Sequence, residues 1–462
     1  MLGGLNMSTR GVRNFRPKVH FTPPRNWSND PNGMVYMDGL WHLYYQHHPE
    51  QPVWGPMHWG HAASRDLLHW EHHSIALHPD ELGYIFSGSM AYDKENTSGF
   101  GKAGEIPVVA MYTSHRPEGG HECQSIAYSV DGGYHFEKYY GNPVIDNPGL
   151  EDFRDPKVFW NKKRNCWSMI LAAKDCAYIY ASEDLKSWEK TGEFGREENL
   201  VNSTWECTDL FPLQTEEGEK WVLLASMMAV PGRCCANIQY FIGEFDGDTF
   251  RTGTQGKETL WLDFGFDNYA GVTFHNYDKS IYLGWGVSPE YANLVPTGEF
   301  AGLMTAAREL SLIKTEKGHR LAAKPFGLDH LRAVSYPVAD GDSLIGECFG
   351  LKVQGRSGKI SFSNEKKQEL VIEIEEENIR IDRSRAGACD FSEKYCDKLH
   401  SVAEAKRLLS GEVDMEILFD VSYLEVFADK GLETASMTVY PDVPYEKISV
   451  QGDLTVQIYQ LQ

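Results

Sequence analysis

The sequence has little that would suit a nucleic acid, a membrane or a disulfide scaffold. Positive charge is scarce: 44 Lys and Arg stand against 66 Asp and Glu, a net charge of −22. Such a balance repels phosphate backbones and anionic lipid surfaces, so neither is an expected partner. No apolar run approaches the roughly 20 residues that a bilayer span needs; the best, residues 221–230, falls far short. Residues 1–20 hold no apolar core of a secretory signal. The nine cysteines are odd in number and scattered, with one vicinal pair at Cys234 and Cys235. They do not read as a disulfide framework, and a cytoplasmic location is the expectation. A Walker loop, a Rossmann fingerprint and a Gly-x-Ser-x-Gly elbow are also missing. His121-Glu122-Cys123 lacks the downstream Pro-Cys-x-x-Cys of a nucleobase deaminase. Histidines crowd residues 42–78, including His58, His61, His72 and His73, without zinc-protease spacing. No metal is expected. What is present is a chain of 462 residues, long enough for two or more domains, with 42% hydrophobic residues and hence a real core. Aromatics reach 12%, which suits a sugar-facing surface, although the same side chains build ordinary cores.

Helical periodicity is nearly absent from the first 320 residues. Short β-type runs dominate, such as 41–45, 108–112, 167–172, 221–225, 240–243 and 281–285, separated by Gly, Pro and Asn turns. One turn signature recurs: an aspartate followed four or five residues later by an aromatic. It occurs as Asp66 with Trp70, Asp131 with Phe136, Asp184 with Trp188 and Asp246 with Phe250, at intervals of 53 to 65 residues. The short carboxylate can accept backbone N–H bonds within the turn while the aromatic packs back onto the sheet. A repeat of this length, carrying about four strands, matches a β-propeller blade, and roughly 300 residues accommodate about five. The pattern therefore predicts an all-β protein, a five-bladed β-propeller over residues 17–320 preceded by a disordered tail at 1–16. After a linker at 321–345, alternating strands over 346–462 predict a β-sandwich. Residues 397–409 have helical propensity and are expected to form an excursion on a loop.

Three acid-bearing motifs fall at the starts of different blades. Asn29-Asp30-Pro31-Asn32-Gly33 is a turn by composition, yet it follows Trp27 and precedes a strand. Phe153-Arg154-Asp155-Pro156 repeats the arrangement, and alone it also reads as a surface ion pair. Trp205-Glu206-Cys207 places a carboxyl between two apolar side chains, surroundings that would raise its pKa. First strands line the channel of a propeller, so these acids could converge there. Glycoside hydrolysis uses such a set, with one carboxylate ionised and another kept as the acid.

These motifs resemble glycoside hydrolase family 32, the invertases, inulinases and levanases that act on β-fructofuranosides. The likeness runs from His20-Phe21-Thr22-Pro23 through Asn26-Trp27-Ser28-Asn29-Asp30-Pro31-Asn32-Gly33, Tyr44-Tyr45-Gln46, Trp54-Gly55-Pro56-Met57-His58-Trp59-Gly60-His61 and Phe86-Ser87-Gly88-Ser89. It continues through the Asp155 and Glu206 motifs to Asp420-Val421-Ser422 and Glu425-Val426-Phe427. The resemblance implies a propeller followed by a sandwich. It implies Asp30 as nucleophile, Glu206 as general acid/base and Asp155 as the residue that binds fructosyl hydroxyls. Asn29, Gln46, Trp54, Phe86, Ser87, Arg154, Cys207 and Trp285 would complete the fructose pocket, with Arg154 holding Asp155 ionised. No cofactor is implied.

The expected function is a retaining, exo-acting β-fructofuranosidase that releases fructose from a small sugar substrate: sucrose, short fructo-oligosaccharides, inulin or levan. A fructosyltransferase, an inverting arabinanase-like propeller and a non-catalytic fructan-binding protein are the alternatives; the oligomeric state stays open. Departures from the family pattern fall at Ser28, residues 231–237, Gly286-Val287-Ser288-Pro289-Glu290 and Phe300-Ala301-Gly302-Leu303-Met304. Because Arg233 and Glu290 lie at two of them, both are expected on the leaving-group side of the pocket.

Overall fold

The computed structural model describes residues 13–232, 234–253, 258–344 and 346–461. Five four-stranded antiparallel sheets stand around a common channel. Their first strands are Asn26–Met37, Tyr84–Tyr92, Arg154–Asn161, Trp205–Thr215 and Tyr269–Thr273, one for each of blades 1 to 5. Blade 1 also takes the short parallel strand Phe300–Ala301 from the blade 5 excursion, and His275 bonds backbone-to-backbone with Met34 and Tyr36. These bonds close the ring. Gly302 sits where a Cβ would meet the Ser28 carbonyl oxygen at 1.8 Å, with φ of +96°, so the closing segment can approach only as glycine.

The core of the propeller lies in the seams between blades. Val35, Trp59, Ile85 and Val108 fill the first seam, and Met111, Ile126, Val158 and Met169 the second. Ile179 and Leu223 meet in the third, Leu224 and Leu310 in the fourth, and Trp41 and Val272 in the fifth. The second strands of blades 2 and 3 are buried on both faces because each sheet is covered on both sides, which is why 108–112 and 169–173 are unbroken hydrophobic runs. The four Asp–aromatic turns join the third and fourth strands of blades 1 to 4. Asp66 accepts from Leu68 and His69 N–H, Asp131 from Tyr134 and His135, Asp184 from Lys186 and Ser187, and Asp246 from Asp248 and Thr249. The crowded histidines also have a packing role: His61 stacks on Tyr44 and meets His42 and Tyr134 at the seam of blades 1 and 2.

The C-terminal unit is a β-sandwich built on two long paired strands, Cys348–Ser363 and Lys447–Gln460. Each bends at a register shift near Gly355, so one half joins Glu369–Ile374 and Asn378–Arg385 while the other joins Val413–Asp420, Tyr423–Ala428 and Glu433–Thr438. Phe349, Ile360, Ile372 and Phe419 fill the space between.

Three expectations shift. The last propeller strand, Gly318–Pro325, crosses the boundary placed at 320, because its alternation pairs fully with Arg308–Thr315. The linker then carries a helical turn, Asp329–Arg332, and a strand, Tyr336–Pro337. Of the tail placed at 1–16, residues 1–12 lie outside the described residues, whereas Phe15 is buried against Tyr440 and Arg13 bonds to Glu347. The loop excursion of helical propensity expected over 397–409 is helical only over Lys398–Ser401; Val402–Lys406 is an edge strand on Asn378–Arg385. Pairing with a sheet edge outweighs a short segment's helix propensity.

Candidate active site

Every inner strand breaks its register near its start. The irregularities fall at Ser28/Pro31, Ile85/Gly88, opposite Ile170/Ala172, at Glu206/Asp209 and at Tyr269/Val272. A bulge inserts an unpaired residue and re-aims its side chain. Here five equivalent bulges turn side chains towards one end of the channel, and Asp155, Cys207 and Ala270 take φ of 67°, 43° and 52° in doing so. The result is a cavity of about 420 Å³ lined by Asp30, Ser87, Asp155, Glu206 and Tyr269, one from each blade. Asn29, Gln46, Trp54, Phe86, Arg154 and Trp285 line it as well. Cys207 lies just behind, touching two of the acids.

Asp30 is held by three donors. Trp27 Nε1 bonds to Asn29 Oδ1 at 2.7 Å, turning the Asn29 amide so that Nδ2 donates to Asp30 Oδ1 at 2.8 Å. Ser87 Oγ donates to Oδ2 at 2.6 Å, and the Cys207 thiol reaches the same oxygen at 3.5 Å. The Cys207 N–H donates to Asp155 Oδ2 at 2.9 Å, so one residue bridges Asp30 and Asp155. Glu206 accepts from Arg154 Nη2 at 3.0 Å and from the Tyr269 hydroxyl at 2.6 Å. Gln46 Nε2 donates to the Ile85 carbonyl, and Trp54 stands half exposed at the rim, edge-on to Phe86.

Two electrostatic expectations are corrected. The Arg154 guanidinium turns away from its neighbour Asp155 and bonds to Glu206, Glu122 and Asp152. Burial would lower its pKa, but Glu206 and Glu122 more than offset that and raise it. Asp155 has instead a pKa pushed up to about 8, by burial first, with Glu206 and Asp30 adding like charge against the attraction of Arg154. Glu206, expected in apolar surroundings because Trp205 and Cys207 flank it, faces a cation and a phenol. Trp205 packs into the seam of blades 3 and 4, while Cys207, at the bulge, turns its thiol to Asp30. Glu290 is corrected too: it bonds to the Ala236 N–H and to His400, and does not line the cavity, whereas Pro289 and Asn293 do. Arg233 lies outside the described residues.

The sequence reading missed Tyr269, Glu122 and His115. Tyr269 opens an inner strand as Asp155 and Glu206 nearly do, and that position was the available signal. Glu122 was read only as part of an incomplete deaminase signature; it is buried, accepting from His115, Arg154 and the Phe153 N–H.

Comparison with known proteins identifies the family and the fold. Residues 20–325 match the model of the glycosyl hydrolases family 32 N-terminal domain, and residues 346–460 that of the family 32 C terminal. A levanase of Bacillus subtilis (strain 168) is 39% identical over 459 residues, covering 93% of this chain and 67% of the levanase. The crystal structure of an exo-inulinase from Aspergillus awamori superposes with a TM-score of 0.88 at 29% identity, covering 97% of this chain and 99% of that one. A β-fructofuranosidase from Schwanniomyces occidentalis, complexed with fructosyl-erythritol, gives a TM-score of 0.87 at 26% identity over 99% of each chain.

Proposed function

Since the chain belongs to glycoside hydrolase family 32 and is a glycoside hydrolase, we propose that it releases terminal fructose from β-fructofuranosides with retention of configuration. In this reading Asp30 attacks the anomeric carbon and forms a fructosyl ester. Glu206 gives its proton to the departing oxygen, then takes one from the incoming water. Asp155, held by the Cys207 N–H, meets fructosyl hydroxyls. The observation that carries the proposal is the convergence of three acids from three blades, Asp30 and Asp155 bridged by Cys207 and Glu206 its neighbour in the chain, in a cavity the size of a small sugar site. Six lining residues carry carboxyl groups against one arginine, Arg154, which is already engaged, and such a field favours the positive charge that develops on an oxocarbenium-like transition state. The same field disfavours phosphorylated sugars, so neutral substrates are proposed: sucrose, fructo-oligosaccharides, inulin and levan. Removal of one terminal fructose at a time fits a cavity formed at one end of the channel. A reducing, intracellular location belongs to the same proposal, since the nine cysteines all stand as thiols.

Fructose and glucose release from sucrose, 1-kestose, inulin and levan by wild type and Asp30→Ala tests the reading. Fructose release by wild type and a loss of at least 1,000-fold, by order of magnitude, in the variant is the expected outcome. A folded wild type that releases nothing from all four would overturn it, and inverted product configuration would overturn the retaining mechanism alone.

A further inference from the structure

Three features that the catalytic reading leaves unused meet at one point outside the pocket. They are the vicinal cysteines, the departure at Glu290 and the helical turn before Val402. Cys235 comes from the blade 4 segment between Gly218–Met227 and Asn237–Phe245, Glu290 from the blade 5 excursion, and His400 from the sandwich turn Lys398–Ser401. One ligand atom from each lies within 4.8 Å of the others. His400 Nε2 is 3.0 Å from Glu290 Oε2, and His400 is buried between the rings of Phe266 and Tyr291.

We propose that Cys235, Glu290 and His400 bind one divalent cation of the zinc class, which fastens the rim of the propeller to the sandwich. Thiolate, carboxylate and imidazole are the donors that such borderline-soft ions prefer, and two anionic donors balance a double charge. Bond lengths of about 2.0–2.3 Å give tetrahedral edges of about 3.3–3.7 Å. The Nε2–Oε2 pair need only open by a few tenths of an ångström, with water as the fourth ligand. Orientation of the imidazole is already provided: Asp397 Oδ1 lies 2.9 Å from His400 Nδ1 and also accepts the His400 N–H. A carboxylate on the remote ring nitrogen is the usual support of a metal-bound histidine. An imidazolium bonded to Glu290, Asp397 and Cys235 is the rival arrangement of the same three groups, and the metal titration below separates the two. Lys394, whose Nζ is 3.5 Å from Glu290 Oε1, faces the other carboxylate oxygen and leaves Oε2 for the ion.

The position gives the ion a consequence. Met228 and Pro289, a few residues from Cys235 and next to Glu290, line the catalytic cavity. Clamping both segments on the sandwich would hold that side of the cavity in place.

The test uses tag-free, reduced full-length protein, stripped with EDTA and titrated with Zn(II) against a chromophoric chelator, and with Co(II) under ultraviolet absorption. Expected are one ion per chain, a rise of several degrees in Tm with added Zn(II), and a thiolate-to-cobalt charge-transfer band. Cys235→Ser should lose the band, Glu290→Gln should weaken binding at least tenfold, and Cys234→Ser should keep both. Absence of stoichiometric binding overturns the site, as does a band that survives Cys235→Ser or disappears in Cys234→Ser. Should Cys235→Ser fail to fold, the affinity of Glu290→Gln decides: binding equal to wild type overturns the proposal.

Discussion

Asp155 shows most directly how this protein stores strain at the site. Its backbone is left-handed, with φ of 67°, and its buried carboxyl is pushed up to about 8. An acid whose folded pKa lies above its unfolded value, about 4, opposes folding. The penalty is absent below pH 4, grows as the unfolded chain ionises and the folded one does not, and is complete near pH 8. Asp155→Asn keeps an acceptor for the Cys207 N–H and tolerates the positive φ, but carries no charge. The variant should lose fructose release yet melt higher than wild type, by a margin of several degrees that widens from pH 5 to pH 8. Calorimetric scans across that range check it; a margin that is flat or negative contradicts the account. The roles of single residues were legible in the sequence only where a short motif fixes the neighbours, as around Asp30. The partner of Arg154 was not legible, because adjacency in a bulged strand sends neighbouring side chains to different groups.

At the scale of elements, the Asp–aromatic turn was readable because all its bonds are local: the accepting carboxylate and the donor N–H groups lie within four residues of one another. Blade 5 lacks it, since Arg308–Thr315 and Gly318–Pro325 are joined by a tight turn at Glu316 and Lys317, and only four copies could be counted. Replacing Asp184 by Ala removes two backbone hydrogen bonds and should cost about 1 kcal/mol of stability. Denaturant unfolding measures the loss, while the rate per folded molecule should stay unchanged; a loss of rate at full folding would mean that the turn reaches the site. The edge strand Val402–Lys406 was not readable, because its partner, Asn378–Arg385, exerts its preference only after the sandwich has formed.

Across the whole molecule, the two units are joined by buried charge. His20, from the segment before blade 1, meets Asp420 at 2.9 Å and Glu425 at 2.8 Å, and Arg308 of blade 5 bonds to Asp263 and to the same Glu425. Breaking such a cluster by removing one partner typically costs about 3–5 kcal/mol. Burial lowers the His20 pKa, but the hydrogen bonds with Asp420 and Glu425 outweigh it and raise the value to about 9. A histidine raised in the folded state contributes fully below its unfolded pKa, about 6.5, and loses that contribution as pH rises through 9. Wild-type Tm should therefore fall between pH 6.5 and 9. His20→Gln should melt lower at pH 6, with the difference shrinking towards pH 10; a difference independent of pH would refute the charged histidine.

The sequence by itself determined the architecture, since strand alternation, the spacing of the turns and the apolar second strands are local properties that the repeated blades reinforce. It also marked the three acids, because each lies in a short motif that both terminates a turn and opens a strand. Only the tertiary structure decided which groups those acids face. Five bulges at one end of the channel, and the closure of blade 5 onto blade 1, bring together side chains that are tens to hundreds of residues apart. Hydrogen bonding and charge at that distance depend on backbone path rather than on composition. For that reason Tyr269 joined Glu206, Arg154 left Asp155, and Glu290 turned from the pocket to the sandwich.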